Sequence, residues 1–124
     1  MTFEALKLTR QFLNAIEDAG YKEPTPIQSM AIPPLRSGQD VIGIAQTGTG
    51  KTAAFLLPLL QTLKYAQGDA PRALILAPTK ELVLQIHHEA VQFASYTDLR
   101  SIPLYGGIGY KSQLNAVKTG VDLL

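Results

Sequence analysis

The stretch Ala45-Gln46-Thr47-Gly48-Thr49-Gly50-Lys51-Thr52 decides the fold class of this chain. Its second half fits the phosphate-binding P-loop pattern, in which one glycine and four further residues precede Gly-Lys-Ser/Thr. Ala45 stands where that pattern has its first glycine. The apolar residues 41–45 predict a buried strand before the loop, and residues 53–57 predict a buried helix after it. A strand, this loop and a helix in succession form the context in which the pattern binds phosphate.

The loop has the chemistry that a nucleoside triphosphate and Mg²⁺ require. Gly48 and Gly50 can adopt backbone angles closed to other residues, so the chain can curl and point its N–H groups at a phosphate. Lys51 would reach the β- and γ-phosphates, and the Thr52 hydroxyl would bind Mg²⁺. We expect that the turn at Ala45 needs no positive φ. The alternative interpretation is a turn that merely joins the strand to the helix.

Length and composition indicate a single globular domain. The chain has 124 residues, of which 46% are hydrophobic. No apolar run approaches the roughly 20 residues needed to cross a bilayer. The first residues lack the basic and then apolar pattern of a signal peptide. The absence of cysteine excludes disulfides and favours a reducing compartment. We therefore predict a cytoplasmic protein with no membrane segment.

The charge pattern restricts how the chain could contact nucleic acid. The net charge is +1 and the basic residues are scattered, which argues against a broad basic surface. Any contact with nucleic acid must therefore come from a few placed groups. His87 and His88 are adjacent on a predicted helix and point in different directions, so we predict that both lie at the surface or its edge.

Two helices are predicted before the P-loop. The first runs from Thr9 to Ala19, with Thr9 as its cap, and ends at Gly20. The second begins at Thr25-Pro26, because threonine is a good cap and proline suits the first helical position. We expect Pro33-Pro34 to interrupt this second helix.

From the P-loop onward, apolar strands alternate with helices. This alternation predicts an α/β fold with a parallel sheet covered by helices on both faces. The P-loop, Pro78-Thr79 and Gly106-Gly107 each follow a strand, so we expect them to share the rim at which such sheets bind ligands. The predicted strands are 41–45, 73–77, 101–105 and the opening of a fourth at 121–124, and the predicted helices are about 50–65, with a kink at Pro58, 79–94 and 110–118.

Several motifs resemble those of DEAD-box RNA helicases. Residues 20–28, Gly-Tyr-Lys-Glu-Pro-Thr-Pro-Ile-Gln, resemble the Q motif of that family. Phe3 precedes them at the spacing of the family's isolated upstream aromatic residue. Residues 45–52 match motif I, in which alanine at the first position is usual. The resemblance thus accounts for the departure of Ala45 from the general P-loop pattern.

Two further motifs follow in the order of the family. Residues 78–82, Pro-Thr-Lys-Glu-Leu, resemble motif Ia, with Lys80 where the family usually has arginine. A planar two-pronged phosphate contact would then be replaced by a point charge. Gly106-Gly107 with Gln113 resembles the double-glycine motif. Four motifs in order, at the family's spacing, are highly specific, and the resemblance covers essentially the whole chain.

The resemblance implies a domain organisation. The chain is similar to the N-terminal part of the first RecA-like domain, a P-loop NTPase fold. Residues 1–38 would form the Q-motif region with its N-terminal helices, and residues 39–124 part of the ATP-binding domain, within one structural domain. The family's Asp-Glu-Ala-Asp motif and its second RecA-like domain, with the arginine fingers, would lie beyond Leu124. We therefore expect a truncated sheet and a fragment of a longer helicase.

The resemblance also implies an ATP site. Gln28 would pair with the adenine N6 and N7 atoms, and Tyr21 could stack on the ring. The residues alone favour a solvated position in a first helical turn for Gln28 and a packing role for Tyr21, and Phe3 could simply pin the N-terminal segment to the core; the resemblance reverses the preference for Gln28. The implied ATP-binding residues are Phe3, Tyr21, Gln28, Ala45, Gln46, Thr47, Gly48, Thr49, Gly50, Lys51 and Thr52, with Lys51 and Thr52 as catalytic residues and Thr52 as the Mg²⁺ ligand.

For RNA, the resemblance points to two loops. Glycines let a nucleic-acid backbone approach N–H groups closely, and such phosphate contacts carry no sequence information. The alternatives are an ordinary turn at the two glycines and a plain helix cap at Thr79. The implied RNA-binding residues are Pro78, Thr79, Lys80, Gly106 and Gly107.

Hydrolysis needs an acid that holds Mg²⁺, and no predicted strand ends in one. We expect the 124 residues alone to be catalytically incomplete, since otherwise Asp69, Glu81, Asp98 or Asp122 would have to do that acid's work. The predicted function is that of an ATP-dependent RNA helicase whose parent protein couples ATP hydrolysis to RNA unwinding or remodelling. The alternatives are a non-catalytic module that binds nucleotide or RNA, and another P-loop enzyme such as a small kinase.

Overall fold

The computed structural model describes residues 2–63, 70–107 and 109–124. A short 3-10 turn at Glu4–Leu6 precedes the α-helices of this part of the chain. The α-helices are α1 (Arg10–Asp18), α2 (Pro26–Arg36), α3 (Lys51–Leu63), α4 (Lys80–Phe93) and α5 (Tyr110–Thr119). Each of the five lies where the sequence predicts a helix, although the course of α2 at its prolines differs from the prediction. None of the described helices has both the length and the apolarity that a membrane crossing requires.

Helix α2 begins at a capping box. The Thr25 hydroxyl accepts a hydrogen bond from the Gln28 backbone N–H, and the Gln28 side-chain oxygen accepts one from the Thr25 backbone N–H. Pro26 occupies the first turn, where its missing N–H removes no helical hydrogen bond. The predicted start of this helix is therefore confirmed. Helix α1 starts after Thr9 as predicted, but the Thr9 side chain makes no capping hydrogen bond.

The predicted interruption of α2 at Pro33-Pro34 is wrong. The helix continues through both prolines to Arg36. Two neighbouring residues, Ala31 and Ile32, are buried in the core and hold this part of the helix in place. The Ser37 N–H and hydroxyl both donate to the Pro33 carbonyl, which closes the last turn. Tertiary packing here outweighs the local cost of proline.

Helix α3 starts inside the P-loop and is buried along most of its length, as predicted. Pro58 lies within the continuous helix, and the Thr62 hydroxyl donates to the Pro58 carbonyl at 2.9 Å. A kink at Pro58 stays a prediction, and the predicted helix end at Tyr65 lies outside the described residues. The buried residues of α3 are Ala53, Ala54, Leu56, Leu57, Pro58, Leu60 and Leu63.

Three extended segments lie side by side. Leu123 forms a parallel bridge with Ala73 on one side and with Ser101 on the other, so residues 121–124 run between the other two segments. The parallel direction agrees with the predicted topology. Within the described residues the pairing consists of these two bridges, so a full parallel sheet stays a prediction.

A buried carboxylate joins the three segments. Asp122 is fully buried, and its two oxygens lie 2.8 Å from Arg72 Nη2 and 3.1 Å from Arg100 Nε. The Arg100 backbone N–H also donates to this carboxylate at 2.9 Å. Because each arginine comes from a different segment, we name this cluster the Asp122 clamp.

The predicted buried strand before the P-loop is wrong for the described residues. Residues 41–45 form no bridge there, and Ile42 and Ile44 are 94% and 91% exposed. A strand needs a neighbouring backbone to pair with, and this segment has no bridge to any of the described residues. Residues 41–45 are apolar, but their large side chains are exposed in this structure.

The core lies between the helices and one face of the extended segments. It draws on the N-terminal turn, on all helices from α1 to α4 and on residue 123. Its buried members are Phe3, Leu6, Leu8, Phe12, Ile16, Ile32, Ala53, Leu56, Leu57, Leu60, Ile86, Ala90, Phe93, Ala94 and Leu123.

Candidate functional site

The P-loop has the backbone that its glycines predict. Gly48 and Gly50 have φ values of 85° and 81°, in the left-handed region that glycine tolerates best. Ala45 is not among the residues with positive φ, which confirms the expectation for that position. The Thr49 hydroxyl donates to the Gln46 carbonyl and closes the turn. The loop then enters α3 at Lys51, so the helix N-terminus faces the loop.

A cavity of about 1040 Å³ borders the P-loop. This volume is at the upper end of the range of small-molecule sites. Helix α2, the P-loop, the start of α3 and the inner side of α4 all contribute to its walls. Among its lining residues are Tyr21, Gln28, Thr47, Gly48, Gly50, Lys51, Thr52, Gln85 and Glu89.

Gln28 connects α2 to the P-loop. Its side-chain amide donates to the Gly50 carbonyl at 3.1 Å, while its oxygen accepts from the Thr25 N–H at 3.0 Å. The residue is only 3% exposed. A side chain at Gly50 would place its Cβ 2.3 Å from the Gln28 nitrogen, so glycine is required there by close approach as well as by φ. Both polar ends of Gln28 thus contact protein in this structure.

The two predicted aromatic residues of the site lie in different places. Tyr21 lines the cavity, is 38% exposed, and packs its ring 5.9 Å from that of Phe93. Burial, and then the charge of Glu89, raise the pKa of Tyr21. Phe3 is 4% exposed and belongs to the core, and it is not among the described residues that line the cavity. Its contacts match the alternative role of pinning the N-terminal segment.

Glu89 lies at the cavity beside Thr52, and the sequence interpretation missed it. Burial raises the pKa of Glu89, and the Thr52 hydroxyl opposes this shift by interacting with the charged carboxylate. Its Oε2 atom is buried and has no hydrogen-bond partner in the described part of the chain. The spacing could have revealed this residue, because Glu89 follows Leu82 and Ile86 on the stripe that continues to Phe93.

The four carboxylates considered as replacements for the missing acid lie elsewhere. Glu81 and Asp98 are exposed, and Asp122 belongs to the Asp122 clamp. None of these three lines the cavity at the P-loop. Asp69 lies outside the described residues. Glu89 is the carboxylate that the described structure brings to Thr52.

The two predicted RNA-binding loops lie close together, because Lys80 of the first loop contacts Tyr105, which precedes the second loop. Thr79 caps α4 by accepting the Leu82 N–H at 3.1 Å, which confirms the predicted cap. The Lys80 ammonium lies 5.4 Å from the centre of the Tyr105 ring, within the range of a cation–π contact. The Tyr105 N–H donates to the Gln113 side-chain oxygen at 2.9 Å, which ties this loop to α5.

The glycines of the second loop are open to solvent. Gly106 and Gly107 are both exposed, and an added Cβ at either position would meet nothing within 4 Å. Gly107 has a φ of 91°, so it is needed for the turn. Pro78, Thr79 and Lys80 are exposed as well. The two loops therefore present accessible backbone at neighbouring positions.

The part of the chain that matches a known protein family contains this site. The family model described as DEAD/DEAH box helicase matches residues 25–124, which include the P-loop and both exposed loops. The chain belongs to the DEAD/DEAH box helicase family. The resemblance drawn from the four motifs is thereby confirmed.

Individual DEAD/DEAH box proteins match nearly all of this chain. The pre-mRNA-processing ATP-dependent RNA helicase PRP5 of Gibberella zeae is 44% identical over 121 residues, which are 94% of this chain and 10% of PRP5. The ATP-dependent RNA helicase RhlB of Pasteurella multocida is 46% identical over 128 residues, covering 100% of this chain and 30% of RhlB. The chain thus spans less than a third of the length of these relatives.

A solved helicase structure supports the RecA-like architecture. The RNA helicase Prp28 from Chaetomium thermophilum, bound to ADP, superimposes with a TM-score of 0.85 at 46% sequence identity. The match covers 98% of this chain and 31% of Prp28. The helices and the parallel direction of the bridged segments in this DEAD/DEAH box chain are consistent with that fold.

The donor atoms beside the P-loop of this helicase-family chain fit a small divalent cation. The described residues contain no group of three or more His, Cys, Asp or Glu side chains that could hold a metal by themselves. They do offer the Thr52 hydroxyl and the unpartnered Glu89 oxygen. Mg²⁺ is usually held by one or two protein oxygens together with phosphates and water, so this small donor set suits it.

Proposed function

We propose that this chain is the ATP-binding and part of the RNA-binding surface of an ATP-dependent RNA helicase. The observation that carries the proposal is the cavity of about 1040 Å³ that the P-loop shares with Gln28 and the inner side of α4. The names of PRP5 and RhlB as ATP-dependent RNA helicases, and the ADP bound to Prp28, support it. The parent protein would couple ATP hydrolysis to the unwinding or remodelling of RNA.

In this proposal the P-loop residues hold the triphosphate with Mg²⁺. The backbone N–H groups around Gly48 and Gly50, with the N-terminus of α3, would surround the phosphates. Lys51 is exposed and lines the cavity, so its ammonium can reach the β- and γ-phosphates. The Thr52 hydroxyl would bind Mg²⁺, and the cation would neutralise part of the negative charge of the phosphates.

The RNA contact would be made through the phosphate backbone. The N-terminus of α4, capped by Thr79, suits an anion, and Lys80 adds a positive charge at the same place. Gly106 and Gly107 are exposed, and their N–H groups would donate to the phosphates. Pro78 leads into the α4 cap. Contacts of this kind hold RNA without reading its sequence.

The ATP part of the proposal is tested by equilibrium binding of ATP with Mg²⁺ to residues 1–124. Lys51→Ala should weaken ATP binding by about tenfold or more, because a charge-assisted phosphate contact contributes about 1.5–3 kcal/mol. Lys118→Ala, an exposed lysine in the last turn of α5, serves as the control and should bind like the wild type. Equal affinities of Lys51→Ala and wild type would refute a nucleotide site at the P-loop.

Catalysis is a separate part of the proposal. None of the described carboxylates lies at the end of an extended segment facing the P-loop, so residues 1–124 alone should release phosphate far more slowly than about 1 s⁻¹, the low end of ordinary enzymes. The parent protein should show ATP hydrolysis that RNA stimulates and Lys51→Ala abolishes. Rapid turnover by residues 1–124 that depends on Lys51 would contradict this expectation.

A further inference from the structure

We propose that Glu89 is a positioning residue for the divalent cation, acting through the hydroxyl of Thr52. This inference rests on the proposed function, because it assumes that the P-loop cavity takes a nucleotide with its cation. Glu89 lies outside the motifs that the sequence interpretation used. It comes from the middle of α4, whereas those motifs lie in loops and at helix starts.

The first observation is the place of Glu89 on its helix. Glu89 lies three residues after Ile86 and four before Phe93, both of which are buried. It therefore occupies the apolar stripe that faces the core, not the solvated side of α4. That stripe brings it to the wall of the P-loop cavity, which Thr52 also lines.

The second observation is an unpartnered buried atom. Glu89 Oε2 is shielded from solvent and has no hydrogen-bond partner in the described residues. Among the described residues, no arginine or lysine forms an ion pair with Glu89 within 4 Å. A buried carboxylate oxygen left without a partner costs free energy, and a ligand that supplies positive charge or a bound water would remove that cost.

The chemistry of threonine explains how Glu89 can act through Thr52. A hydroxyl has one proton to donate and two lone pairs to offer. If the Thr52 proton is donated to Glu89, a lone pair of Thr52 Oγ1 is left to face the cation beside the phosphates. Side chains that orient a metal ligand in this way commonly change metal affinity by about 10- to 100-fold when replaced.

The test measures how strongly Mg²⁺ improves nucleotide binding. The affinity of residues 1–124 for ATP is determined with Mg²⁺ and with EDTA, and the ratio of the two dissociation constants is the cation-dependent gain. Glu89→Gln keeps the size of the side chain and removes its charge. Glu81→Gln makes the same change on the same helix at an exposed position and is the matched control. Mn²⁺ bound with ATP is followed in parallel by electron paramagnetic resonance.

We expect Glu89→Gln to lower the cation-dependent gain by about tenfold or more while the affinity in EDTA changes by less than about twofold. Glu81→Gln should retain the wild-type gain, and only Glu89→Gln should lower the fraction of Mn²⁺ that is bound to the complex of protein and ATP. An unchanged gain in Glu89→Gln would overturn the proposal. Equal loss with and without the cation would also overturn it, because that pattern indicates a structural role.

A second pair of variants tests whether the effect passes through Thr52. Thr52→Val removes the hydroxyl and keeps the shape of the side chain. In that background, Glu89→Gln should cause no further loss of the cation-dependent gain, and a full additional loss would mean that Glu89 acts independently. Absence of ATP binding by the wild type in both conditions would instead refute the proposed function, so the two failures are distinguishable.

Discussion

At the scale of single residues, Gln28 has two roles to reconcile. Its amide caps α2 and holds the Gly50 carbonyl, yet the family resemblance assigns it to adenine. Both roles can be met, because the amide nitrogen has a second proton and the amide oxygen a second lone pair to offer adenine. The structure shows the protein contacts, and the adenine contact stays a prediction.

We predict that Gln28→Ala weakens ATP binding to residues 1–124 by about tenfold more than it weakens GTP binding. The reason is that an amide can pair with N6 and N7 of adenine at once, and losing a paired hydrogen bond costs about 1–3 kcal/mol. Competition binding with both nucleotides measures the difference. The exposed Gln39, replaced by alanine, is the control. Equal losses for ATP and GTP would show that Gln28 acts only through the protein contacts.

Lys80 allows a prediction about RNA. Lys80→Ala should lower the affinity for unrelated single strands to a similar degree and make the salt dependence shallower by up to about one unit, because one phosphate contact is lost. Titrations of two unrelated RNA sequences at several salt concentrations measure both effects, with Lys118→Ala as the control. Loss confined to one of the two sequences would contradict backbone recognition.

His87 lies at the edge of the surface, within the range that the sequence predicted for both histidines. His88 is exposed as predicted, whereas His87 is half-buried and its Nδ1 lies 3.0 Å from the Ser101 hydroxyl oxygen. Burial, and then the neighbouring His88, lower the pKa of His87 below 6.5. The folded state therefore favours the neutral ring. The adjacency of two histidines indicated that they diverge, but not which of them faces a neighbouring segment.

His87 should make the protein less stable in mild acid. Above the ordinary pKa both the folded and the unfolded states carry a neutral ring, so its contribution is constant. As the pH falls through 6.5 toward the lower folded-state pKa, the unfolded chain takes up the proton first and stability is lost. Urea unfolding between about pH 7.5 and pH 5 should show this loss. His87→Gln should reduce the slope and His88→Gln should retain most of it; an unchanged slope in His87→Gln would contradict this assignment.

At the scale of elements, the sequence predicted the helices better than the extended segments. The caps at Thr25 and Thr79 are local chemistry, and both are present. Pro33-Pro34 do not end α2, because the burial of Ile32 stabilises the helix through tertiary packing, which local helix propensity does not describe. Glu89 was missed for a similar reason, because it interacts with Thr52, a residue that is distant in sequence.

The Asp122 clamp allows a prediction about the extended segments. Asp122→Asn should lower the free energy of unfolding by about 2–4 kcal/mol, because two arginines lose the charge that pairs them and the cost of breaking a buried pair is about 3–5 kcal/mol. Arg72 and Arg100 keep some solvent exposure, which reduces the cost. Urea unfolding measures the change, and the exposed Asp40→Asn is the control. Equal stability of the two variants would mean that the clamp does not hold the segments.

At the scale of the whole molecule, the order of the motifs predicted the fold class, and the alternation of apolar segments with helices predicted the parallel sheet. The first prediction rests on stronger evidence than the second. The four motifs identified the family, and the P-loop could be located because it is a local structure. The strand predicted at 41–45 depends on a partner backbone that the local sequence cannot supply. An apolar run predicts burial only when a partner is present, and this run forms no bridge among the described residues and leaves Ile42 and Ile44 exposed.

The exposed apolar segments lead to a prediction about association. Ile42 and Ile44 are 94% and 91% exposed in one segment, and Leu74 and Leu76 are 66% and 84% exposed in another. Exposed apolar residues on extended backbone favour pairing with another chain. Residues 1–124 should therefore associate as the protein concentration rises, which sedimentation velocity measures.

The same experiment on variants distinguishes pairing through the extended segments from nonspecific hydrophobic association. Replacing Ile42 and Ile44 together by lysine should shift the chain toward the monomer, because charge on an exposed strand opposes pairing. Met30 is 74% exposed on α2, so Met30→Lys removes an exposed apolar side chain from a helix and should leave association unchanged. A monomeric wild type at every concentration would show that these segments do not pair. An equal effect of Met30→Lys would show that association does not depend on the extended backbone.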